Sequence, residues 1–477
     1  MRRYFLLATA ALAGCTVGPD FTPPAAPSAT AYQSPAERGA PVNGQPLAHH
    51  GEGPAARWWT AFGSRDIDAL VDRAIANNRS LAASNATLAA SRAELRAVAG
   101  RRLPQVDANA RADQQQVNLA AFGFSQPGGN PEFDLYSVGG GISYDLDLFG
   151  GVRRQVEQSA AMAQAQQRQT EAAHLSIAGQ VVNQVLTIAA IRAQIATAKA
   201  LLADDLRNVD LTQKRQKGGE GTMVEVLNAQ SQYAADRGDL PQLDQQLAEA
   251  RHLLATLVGV TPAELGATDI DLSGLTLPAS VPVALPSALV HRRPDILQAE
   301  ADLHAATAAV GVATARLYPD VTLGATVTQG APAVDDIVKS AFRGYDLFAG
   351  LTAPIFHGGT LKAEREAAVQ RARASDATYQ QTVLTAFAQV ADLLSALKSD
   401  AQSVANQTDS VSVADRSRRL SRRSFEVGNS GVLQVLESER LYQRASNGLV
   451  LARTRQFLNV ARLYVATAGG WTGPATK

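Results

Sequence analysis

The chain has 477 residues with 44 basic and 44 acidic side chains, so its formal net charge at pH 7 is zero. Balanced charge argues against nucleic-acid binding, and an aromatic content of 5% argues against a large conventional core. The single cysteine cannot form an internal disulfide, and the seven histidines show no metal-ligand spacing, so the sequence predicts no metal site.

The N terminus has the pattern of a secretory signal. Two arginines precede an apolar run over 5–12, which is too short to span a bilayer. Small residues then lead to Cys15, as at a bacterial lipoprotein processing site, and Thr16 rather than an aspartate follows, which in such lipoproteins usually implies sorting to the outer membrane. A chance cysteine beside an ordinary cleavage site is the alternative. We predict a signal peptide over 1–14, a lipid anchor on Cys15 and no other cofactor.

A segment rich in Pro, Gly, Ala and Ser follows, and we predict an extended tether over 15–65. A helix is predicted next, from 66 to about 101, with a leucine at every seventh position from Leu81 to Leu95. Its counterpart in the second half covers 294–317 and begins with a proline, which suits the first turn of a helix.

Two pairs of strands are predicted, one pair in each half of the chain. Apolar and polar residues alternate over 106–113, 138–148, 321–328 and 345–355. Each run has the length that a tilted strand needs to cross a membrane, although the strands alone would also suit a small soluble sheet. Predicted to face lipid are Ile142, Tyr144, Leu146, Val321, Leu323, Leu347 and Leu351, and predicted to face a lumen are Thr326 and Thr328.

Each strand pair leads into a long helix with a heptad seam of apolar residues. No proline occurs between Pro131 and Pro241, so a helix over about 152–216 would be roughly 100 Å long. The same pattern returns about 209 residues later, so one unit is used twice. The first seam comprises Val181, Val185, Ile188, Ile195, Leu202, Leu206 and Val209, and the second comprises Val390, Leu394, Leu397, Ala401, Val404, Thr408 and Val411.

Both long helices are predicted to reverse at a glycine-rich tip and to return as antiparallel helices. The returning helices should begin near Glu225 and Gln434, and a weak point is predicted halfway along each, at Gly238 and at Gly448. The tips contain Gly218, Gly219 and Gly221 in the first half and Gly428, Asn429 and Gly431 in the second.

These elements predict a mainly α fold that is internally duplicated and has a transmembrane β-barrel portion. The first repeat covers 66–265, a linker covers 266–287, the second repeat covers 288–470, and a tail covers 471–477. Four strands cannot close a barrel, and an open sheet edge cannot lie in lipid. Two chains would give eight strands and a filled interior, whereas three give twelve strands and a lumen, so we predict a homotrimer.

Several short runs occur in a fixed order along nearly the whole chain. No single run is specific for one protein family, but the order of the runs and the internal duplication are specific. The runs are Gly18-Pro19-Asp20, Trp58-Trp59, Tyr144-Asp145-Leu146-Asp147-Leu148-Phe149-Gly150, Arg292-Arg293-Pro294-Asp295-Ile296 with Ala299-Glu300, Tyr318-Pro319, and Pro354-Ile355-Phe356 with Gly358-Gly359.

With these runs the chain resembles the lipoprotein branch of the TolC-like outer-membrane factors. The resemblance implies a trimeric channel in the bacterial outer membrane, with a twelve-stranded barrel continued by a helical barrel across the periplasm. It implies a periplasmic adaptor protein and an inner-membrane efflux pump as partners, and passive conduction of drugs or other small molecules, or sometimes protein export. The alternative is a periplasmic scaffold or adaptor lipoprotein without a pore. An enzyme is the weakest reading, since no nucleophile–base pair or phosphate loop is present.

The resemblance also implies a gate near the periplasmic tips, formed by polar and charged side chains on the inner helices. Asp415, Arg419 and Arg423 lie four residues apart and share one helix face. A solvated face that binds nothing is the alternative, and some relatives have an acidic residue where Ser430 stands here, so an acidic ring is not carried over. The candidate gate residues are Asp415, Arg418, Arg419, Arg422, Arg423 and Glu426, and the tip residues named above are the candidate adaptor contacts.

Overall fold

The computed structural model describes residues 16–51, 53–118, 123, 131–266 and 270–467. The predicted signal peptide, Cys15 and the predicted tail lie outside these residues. The chain divides into two compact units, and each unit draws on both halves of the sequence. Unit 1 comprises Met1–Pro24, Leu88–Gln166 and Ala299–Tyr379, and unit 2 comprises Ala25–Thr87, Gln167–Gln298 and Gln380–Lys477.

The described residues are mainly helical, with two helices of 67 residues each. The helices are α1 (Pro35–Arg38), α2 (Arg65–Asn77), α3 (Arg79–Gly100), α4 (Gly151–Lys217), α5 (Met223–Arg237), α6 (Asp239–Val258), α7 (Pro286–Leu289), α8 (Pro294–Ala315), α9 (Thr360–Glu426) and α10 (Val432–Ala466). The strands are β1 (Leu47–Gly51), β2 (Gln105–Gln116), β3 (Glu132–Asp145), β4 (Ser280–Ala284), β5 (Asp320–Ala331) and β6 (Arg343–Thr352).

The helix predicted from 66 to about 101 is two helices, α2 and α3, and Asn78 separates them. Its backbone is extended, and its Oδ1 accepts hydrogen bonds from the backbone N–H groups of Ser80 at 2.9 Å and Leu81 at 3.1 Å. Its Nδ2 donates to the carbonyl of Leu257 at 2.7 Å. Asn78 therefore caps α3 and ties it to α6, a role that an asparagine side chain performs well at a helix start.

The returning helices begin two residues earlier than predicted, and only one of them is interrupted. In the first half α5 ends at Arg237 and α6 begins at Asp239, with Gly238 between them. Pro241 has no N–H with which to bond the carbonyl of Arg237, which explains the break. In the second half α10 continues through Gly448, so the weak point predicted there is wrong.

In unit 1 the four longer strands form one antiparallel sheet in the order β2, β3, β5, β6. The second strand of each pair ends before its predicted last residue, since β3 ends at Asp145 and β6 ends at Thr352. Asp147 takes a left-handed conformation with φ of +44°, and Pro354 cannot donate a ladder hydrogen bond. The predicted strand residues that lie beyond these ends are Leu146, Leu148, Ala353 and Ile355.

The turn from β3 into α4 depends on one aspartate and one glycine. The carboxylate of Asp147 accepts hydrogen bonds from the backbone N–H groups of Val152 at 2.8 Å and Arg153 at 2.9 Å. Gly150 has φ of +75°, a conformation that costs glycine little, whereas Gly151 already belongs to α4. In the second half both Gly358 and Gly359 have positive φ, so the two turns differ in detail.

Residues predicted to be an extended tether are packed against the rest of the chain. In unit 1 the N–H of Val17 donates to the carbonyl of Phe149 at 3.1 Å, and the buried guanidinium of Arg154 contacts Asp20 at 2.6 Å. Gly18 lies against Gly311, and a Cβ on Gly18 would be 2.5 Å from the Cα of Gly311. The tether prediction is therefore wrong for this segment.

In unit 2 the rest of the predicted tether also contacts the predicted linker. The strands β1 and β4 pair in parallel, and the hydroxyl of Tyr32 donates to the carbonyl of Ala284 at 2.7 Å. The buried ring of Trp58 stacks on Tyr464 with centroids 5.5 Å apart, and Arg293 donates to the carbonyl of Ala466 at 3.1 Å. The core around the end of α10 is thus built in part by two of the short runs, Trp58-Trp59 and Arg292-Arg293-Pro294-Asp295.

Candidate functional site

The sheet in unit 1 has one apolar face and one polar face. Residues that lie opposite each other in adjacent strands project to the same side, and Tyr144 lies opposite Leu323, which lies opposite Ala349. This register confirms that the residues predicted to face lipid share one face, except for Leu146, which lies beyond the strand. The apolar face comprises Val106, Ala108, Ala110, Val138, Ile142, Tyr144, Val321, Leu323, Ala325, Val327, Tyr345, Leu347, Ala349 and Leu351.

The polar face of the same sheet carries charges, hydroxyls and glycines, and Thr326 and Thr328 lie on it as predicted. Apolar side chains also occur on this face: Phe133 and Leu135 lie on it near the end of the sheet, and Phe348 packs over Gly324, where a Cβ would be 2.2 Å from the ring. The other members of this face include Asp107, Asn109, Arg111, Asp113, Ser137, Gly139, Gly141, Ser143, Thr322 and Asp346.

The apolar face is exposed in the single chain. The exposed fraction is 74% for Val106, 72% for Leu347 and 69% for Leu351. A contiguous apolar surface of this kind is typical of a membrane or protein interface. The opposite pattern, with apolar side chains covered and polar ones exposed, is what a soluble sheet requires. The sheet therefore does not suit the soluble scaffold that the strands alone had left open.

Two strands of this sheet have a single neighbour. In the sheet formed by the described residues, β2 pairs only with β3, and β6 pairs only with β5. Their outer N–H and C=O groups have no ladder partner among the residues that the structure describes. An apolar sheet with open edges cannot lie in lipid until further strands complete it.

In unit 2 two of the six candidate gate residues, Arg418 and Arg422, bind the first long helix of the same chain. Arg418 donates to Asp204 at 2.6 Å and to Asp415 at 3.0 Å, and Arg422 contacts Asp204 at 3.0 Å. Arg422 also pairs with Glu439 on α10. Arg418 and Arg422 therefore hold α9 against its neighbours, whereas, among the described residues, Asp415 pairs only with arginines of its own helix.

The other three candidates, Arg419, Arg423 and Glu426, are exposed. Arg419 contacts Asp415 at 2.8 Å, while 69% of its side chain is accessible. Exposed pairs at this spacing contribute only a few tenths of a kcal/mol. These side chains are therefore free to face another copy of the chain or a water-filled space.

Sequence reasoning missed the acidic and amide residues that complete this cluster. Asp204, Asp205, Asn208 and Glu439 are 6%, 1%, 2% and 2% exposed. These four residues lie on the side of the helices that packs against neighbouring helices. The heptad seam predicted Leu206 on that side, but Leu206 is 49% exposed, so this part of the seam is wrong. Two aspartates inside an apolar repeat were the available signal, since charged residues seldom occupy such positions without a partner.

Burial and hydrogen bonding act in opposite directions on these acids. For Asp204, burial would raise the pKa, but hydrogen bonds from Arg207 and Arg422 outweigh it and hold the pKa below its usual value. For Glu439, burial dominates and raises the pKa in spite of the hydrogen bond from Arg422. For Asp205, burial and the nearby carboxylate of Asp236 raise the pKa to about 8. The cluster therefore mixes ionised and protonated acids at neutral pH.

Each tip is a short exposed turn. Gly219 has φ of +78° and Gly428 has φ of +82°, so both turns use a conformation that favours glycine. Below the second tip, Phe425, Val432 and Val435 form a small buried cluster. The tips thus present backbone and small side chains on a packed support. The adaptor contacts predicted at the tips stay a prediction; they are Gly218, Gly219, Gly221, Gly428, Asn429 and Gly431.

Over the described parts of the chain, His, Cys, Asp and Glu form no group of three or more that could hold a metal ion.

Comparison with known proteins gives consistent matches along the chain. The family model described as "Outer membrane efflux protein" matches residues 70–260 and 285–469. The pyoverdine export outer membrane protein OpmQ of Pseudomonas aeruginosa is 32% identical over 418 residues, which is 87% of this chain and 87% of OpmQ. The probable efflux pump outer membrane protein TtgC of Pseudomonas putida is 30% identical over 472 residues, 98% of this chain and 95% of TtgC.

A solved structure supports the same fold. The outer-membrane channel OprN superimposes with a TM-score of 0.85 at 28% identity, and the match covers 96% of this chain and 100% of OprN. The fold class predicted from the sequence is confirmed: a mainly α, channel-type fold with long helical hairpins and a β portion. The matched proteins bear the names of channels and export proteins rather than enzymes.

Proposed function

Because the chain belongs to the outer membrane efflux protein family, we propose that its two-faced sheet is one third of a transmembrane barrel shared by three copies. The protein resides in the bacterial outer membrane, reaches into the periplasm, and is the exit duct of a tripartite efflux system. The observation that carries the barrel is the sheet itself, with an exposed apolar face, a polar face and two open edges.

The number of copies follows from the lumen. Eight strands leave an interior that side chains just fill, whereas twelve leave room for water and solutes along the polar face. Three chains with four strands each are the smallest set that gives an open duct. The apolar face then contacts lipid, and the hydroxyls of Thr326 and Thr328 line the lumen.

The mass and the conductance of the purified protein test this proposal together. In detergent we expect a complex with three times the mass of the mature chain, and in planar bilayers we expect discrete single-channel steps. A monomer or a dimer, or a trimer that never conducts, would contradict it.

The partners in this proposal are a periplasmic adaptor and an inner-membrane pump, and the duct has no catalytic chemistry of its own. The pump supplies the energy, while the exposed tips provide the contact with the adaptor. Asn429 is exposed at the second tip, so Asn429→Trp should reduce co-purification of the adaptor without changing the amount of trimer. Unchanged co-purification would place the contact elsewhere.

The proposed substrates are small organic molecules. This proposal is supported by two relatives of at least 30% identity, one of which is named for pyoverdine export and the other for an efflux pump. A strain that lacks the gene should release less of its secreted small molecules and should be more sensitive to organic antibiotics. Its sensitivity to metal salts should stay the same, and a selective gain in metal sensitivity would contradict the substrate class.

A lipid anchor on Cys15 is part of the same proposal. The chain has a single cysteine, which directly follows the predicted signal peptide. Mass spectrometry of the mature protein should therefore find acyl chains on its first residue, and Cys15→Ala should abolish labelling by radioactive palmitate. Labelling that survives the substitution would refute the anchor.

A further inference from the structure

The chain is internally duplicated, so each strand-to-helix turn has a counterpart in the other half. Leu148-Phe149 follows β3 and Ile355-Phe356 follows β6, and both runs lead to a pair of glycines. The segments before β2 and β5 also match, since Leu103-Pro104 occupies the place that Tyr318-Pro319 occupies in the second half. A contact seen in one half therefore indicates where its counterpart should be formed.

In the first half the turn is covered by the same chain. The ring of Phe149 stacks on that of Tyr318 with centroids 4.7 Å apart, and the N–H of Leu146 donates to the carbonyl of Val321 at 3.0 Å. The strands on either side of this contact, β3 and β5, are neighbours in the sheet. The turn after one strand is thus covered by the segment that leads into the next strand.

The matching residues of the other two strands are uncovered. The exposed fraction is 90% for Ile355, 86% for Phe356 and 64% for Leu103. Among the strands that the structure describes, β6 and β2 form the two edges of the sheet, so the turn and the segment that would cover it lie at opposite edges. Exposed apolar groups of this kind are typical of an interface. A second copy placed at the edge brings its own Leu103 beside Phe356 and extends the sheet at the same time.

The register between β3 and β5 gives the register to expect between copies. Ile142 lies opposite Ala325 in this strand pair. Ala349 lies seven residues before the phenylalanine of its turn, as Ile142 does, and Ala110 lies seven residues after the apolar residue that precedes the proline, as Ala325 does. The duplication therefore places Ala349 opposite Ala110 of the next copy. Both alanines belong to the apolar face, so this register continues that face across the seam, whereas a shift by one residue would not.

We propose that β6 of one copy pairs with β2 of the next in this register, and that Ile355 and Phe356 pack on Leu103 of that next copy. The contact between Phe149 and Tyr318 is then repeated between chains. This inference rests on the proposed function, because it requires a barrel shared by several copies, and it deepens that proposal by naming the residues that meet at each seam.

The same register brings charged side chains together on the polar face. Phe348 lies opposite Arg111 of the next copy, and Asp346 lies opposite Asp113 of the next copy. Two carboxylates directly opposite each other are unfavourable. Arg111 lies 2.6 Å from Asp113 within its own chain, so its guanidinium compensates both acids and also meets the ring of Phe348. Arg111 is therefore the cation of the seam.

Paired cysteines in the full-length protein test the register. Ala349→Cys with Ala110→Cys should give covalent trimers after oxidation with copper phenanthroline, because residues directly opposite in antiparallel strands have their Cα atoms within the range that a disulfide spans. The matched control is Ile142→Cys with Ala325→Cys. These two positions are opposite each other within one chain, so they should oxidise without a change in mass.

A shifted pair guards against chance collisions between thiols. Ala349→Cys with Ala112→Cys displaces one thiol by two residues on the same face and should give at least about tenfold less covalent trimer, since the Cα atoms then lie beyond disulfide range. Each single variant controls for linkage through Cys15. Equal linkage by both pairs would overturn the register. No linkage by either pair, while the control pair oxidises, would overturn it as well.

Heat dissociation of the trimer on gels tests the packing at the turn. Phe356→Ala and Leu103→Ala should each lower the dissociation temperature, and the double variant should lose less than the sum of the two, because residues in contact are not additive. Both side chains are exposed in the single chain, so neither substitution removes a contact within it. Additive losses would mean that the two residues do not touch, as when each contacts lipid instead, and would overturn the packing.

The mass of the parent protein in detergent separates this inference from the proposed function. A trimer in which the thiols at positions 349 and 110 do not link would retain the proposed function and refute this seam. A monomer would refute both.

Discussion

Arg418 of the second long helix donates a hydrogen bond of 2.6 Å to Asp204 of the first, which lies 214 residues earlier in the chain. The duplicated halves are therefore joined in unit 2 by charge as well as by apolar packing. This contact also divides the candidate gate residues into two groups. Those bound to α4 hold the helices together within one chain, whereas those on the exposed side remain available for contacts that open and close.

The first prediction separates these two groups by stability. Arg422→Ala should leave the buried carboxyl of Glu439 without its cation, and breaking a buried pair in this way costs about 3 to 5 kcal/mol. Arg423→Ala, at the adjacent exposed position, should change stability by less than about 0.5 kcal/mol. Resistance of unit 2 to proteolysis in increasing urea measures the difference. Equal loss in both variants would mean that Arg422 is no more important to folding than its neighbour.

The second prediction concerns the gate. The double variant Asp415→Ala with Arg419→Ala should raise the conductance of the isolated trimer and sensitise cells to large antibiotics, because it removes the ion pair between Asp415 and the exposed Arg419 while Arg418 keeps its contact with Asp204. The control is Asp210→Ala with Lys214→Ala, which removes an exposed pair of the same kind on α4. Parent-like conductance at both low and high salt would show that the Asp415 pair does not restrict the duct.

The third prediction tests the two faces of the sheet. Leu323→Arg should cost about 2 to 4 kcal/mol if the side chain lies near the bilayer midplane, and the yield of membrane-inserted trimer should fall. Thr326→Arg places the same side chain on the polar face of the same strand and should mainly change the conductance. Similar trimer yields for the two variants would contradict the assignment of the faces.

The fourth prediction concerns the close contact on the polar face. Gly324→Ala should displace the ring of Phe348, because the new methyl carbon would be 2.2 Å from it, and the yield of assembled trimer should fall. Gly350→Ala is the control, since the nearest atom to its Cβ is a carbonyl oxygen at 3.9 Å. Heat-resistant trimer on gels is a suitable measure. A normal yield for Gly324→Ala would mean that the ring moves at little cost.

The fifth prediction concerns acid stability. Burial would raise the pKa of Asp204, but hydrogen bonds from Arg207 and Arg422 outweigh burial and hold the pKa below that of an ordinary aspartate. An acid whose pKa is lowered by folding stabilises the folded chain above its unfolded pKa, and this contribution disappears as the pH falls through the folded value. Asp204→Asn should therefore reduce the melting temperature at pH 7 more than at pH 3. An equal decrease in melting temperature at both pH values would mean that Asp204 stabilises the fold by packing rather than by its charge.

The face pattern of the sheet was predictable from the sequence because alternation of apolar and polar residues has only one register that keeps a face apolar. The strand ends were less predictable. Apolar residues continue to Leu148 and to Ile355, but the backbone turns at Asp147 and the ladder loses a donor at Pro354. Local geometry therefore overrides the pattern at both ends.

The buried polar cluster could not be assembled from the sequence, because its members come from distant helices. A heptad template treats an aspartate in the seam as an interruption and places Leu206 inward instead. The partner that makes Asn208 acceptable in a buried position is Glu439, which is 231 residues away. The tether prediction failed for the same reason, since the carbonyl that accepts the hydrogen bond of Tyr32 is 252 residues away in the sequence.

The open edges of the sheet also affect what happens when intact and damaged chains are made together. A strand at the edge of one copy must pair with a strand from the next, so each finished barrel contains a contribution from every member. One chain with a defective β2 or β6 therefore disables the intact chains that it joins. A cell that carries a normal gene and an edge-defective gene should lose more channels than the defective share alone would remove, which geneticists recognise as a dominant-negative phenotype.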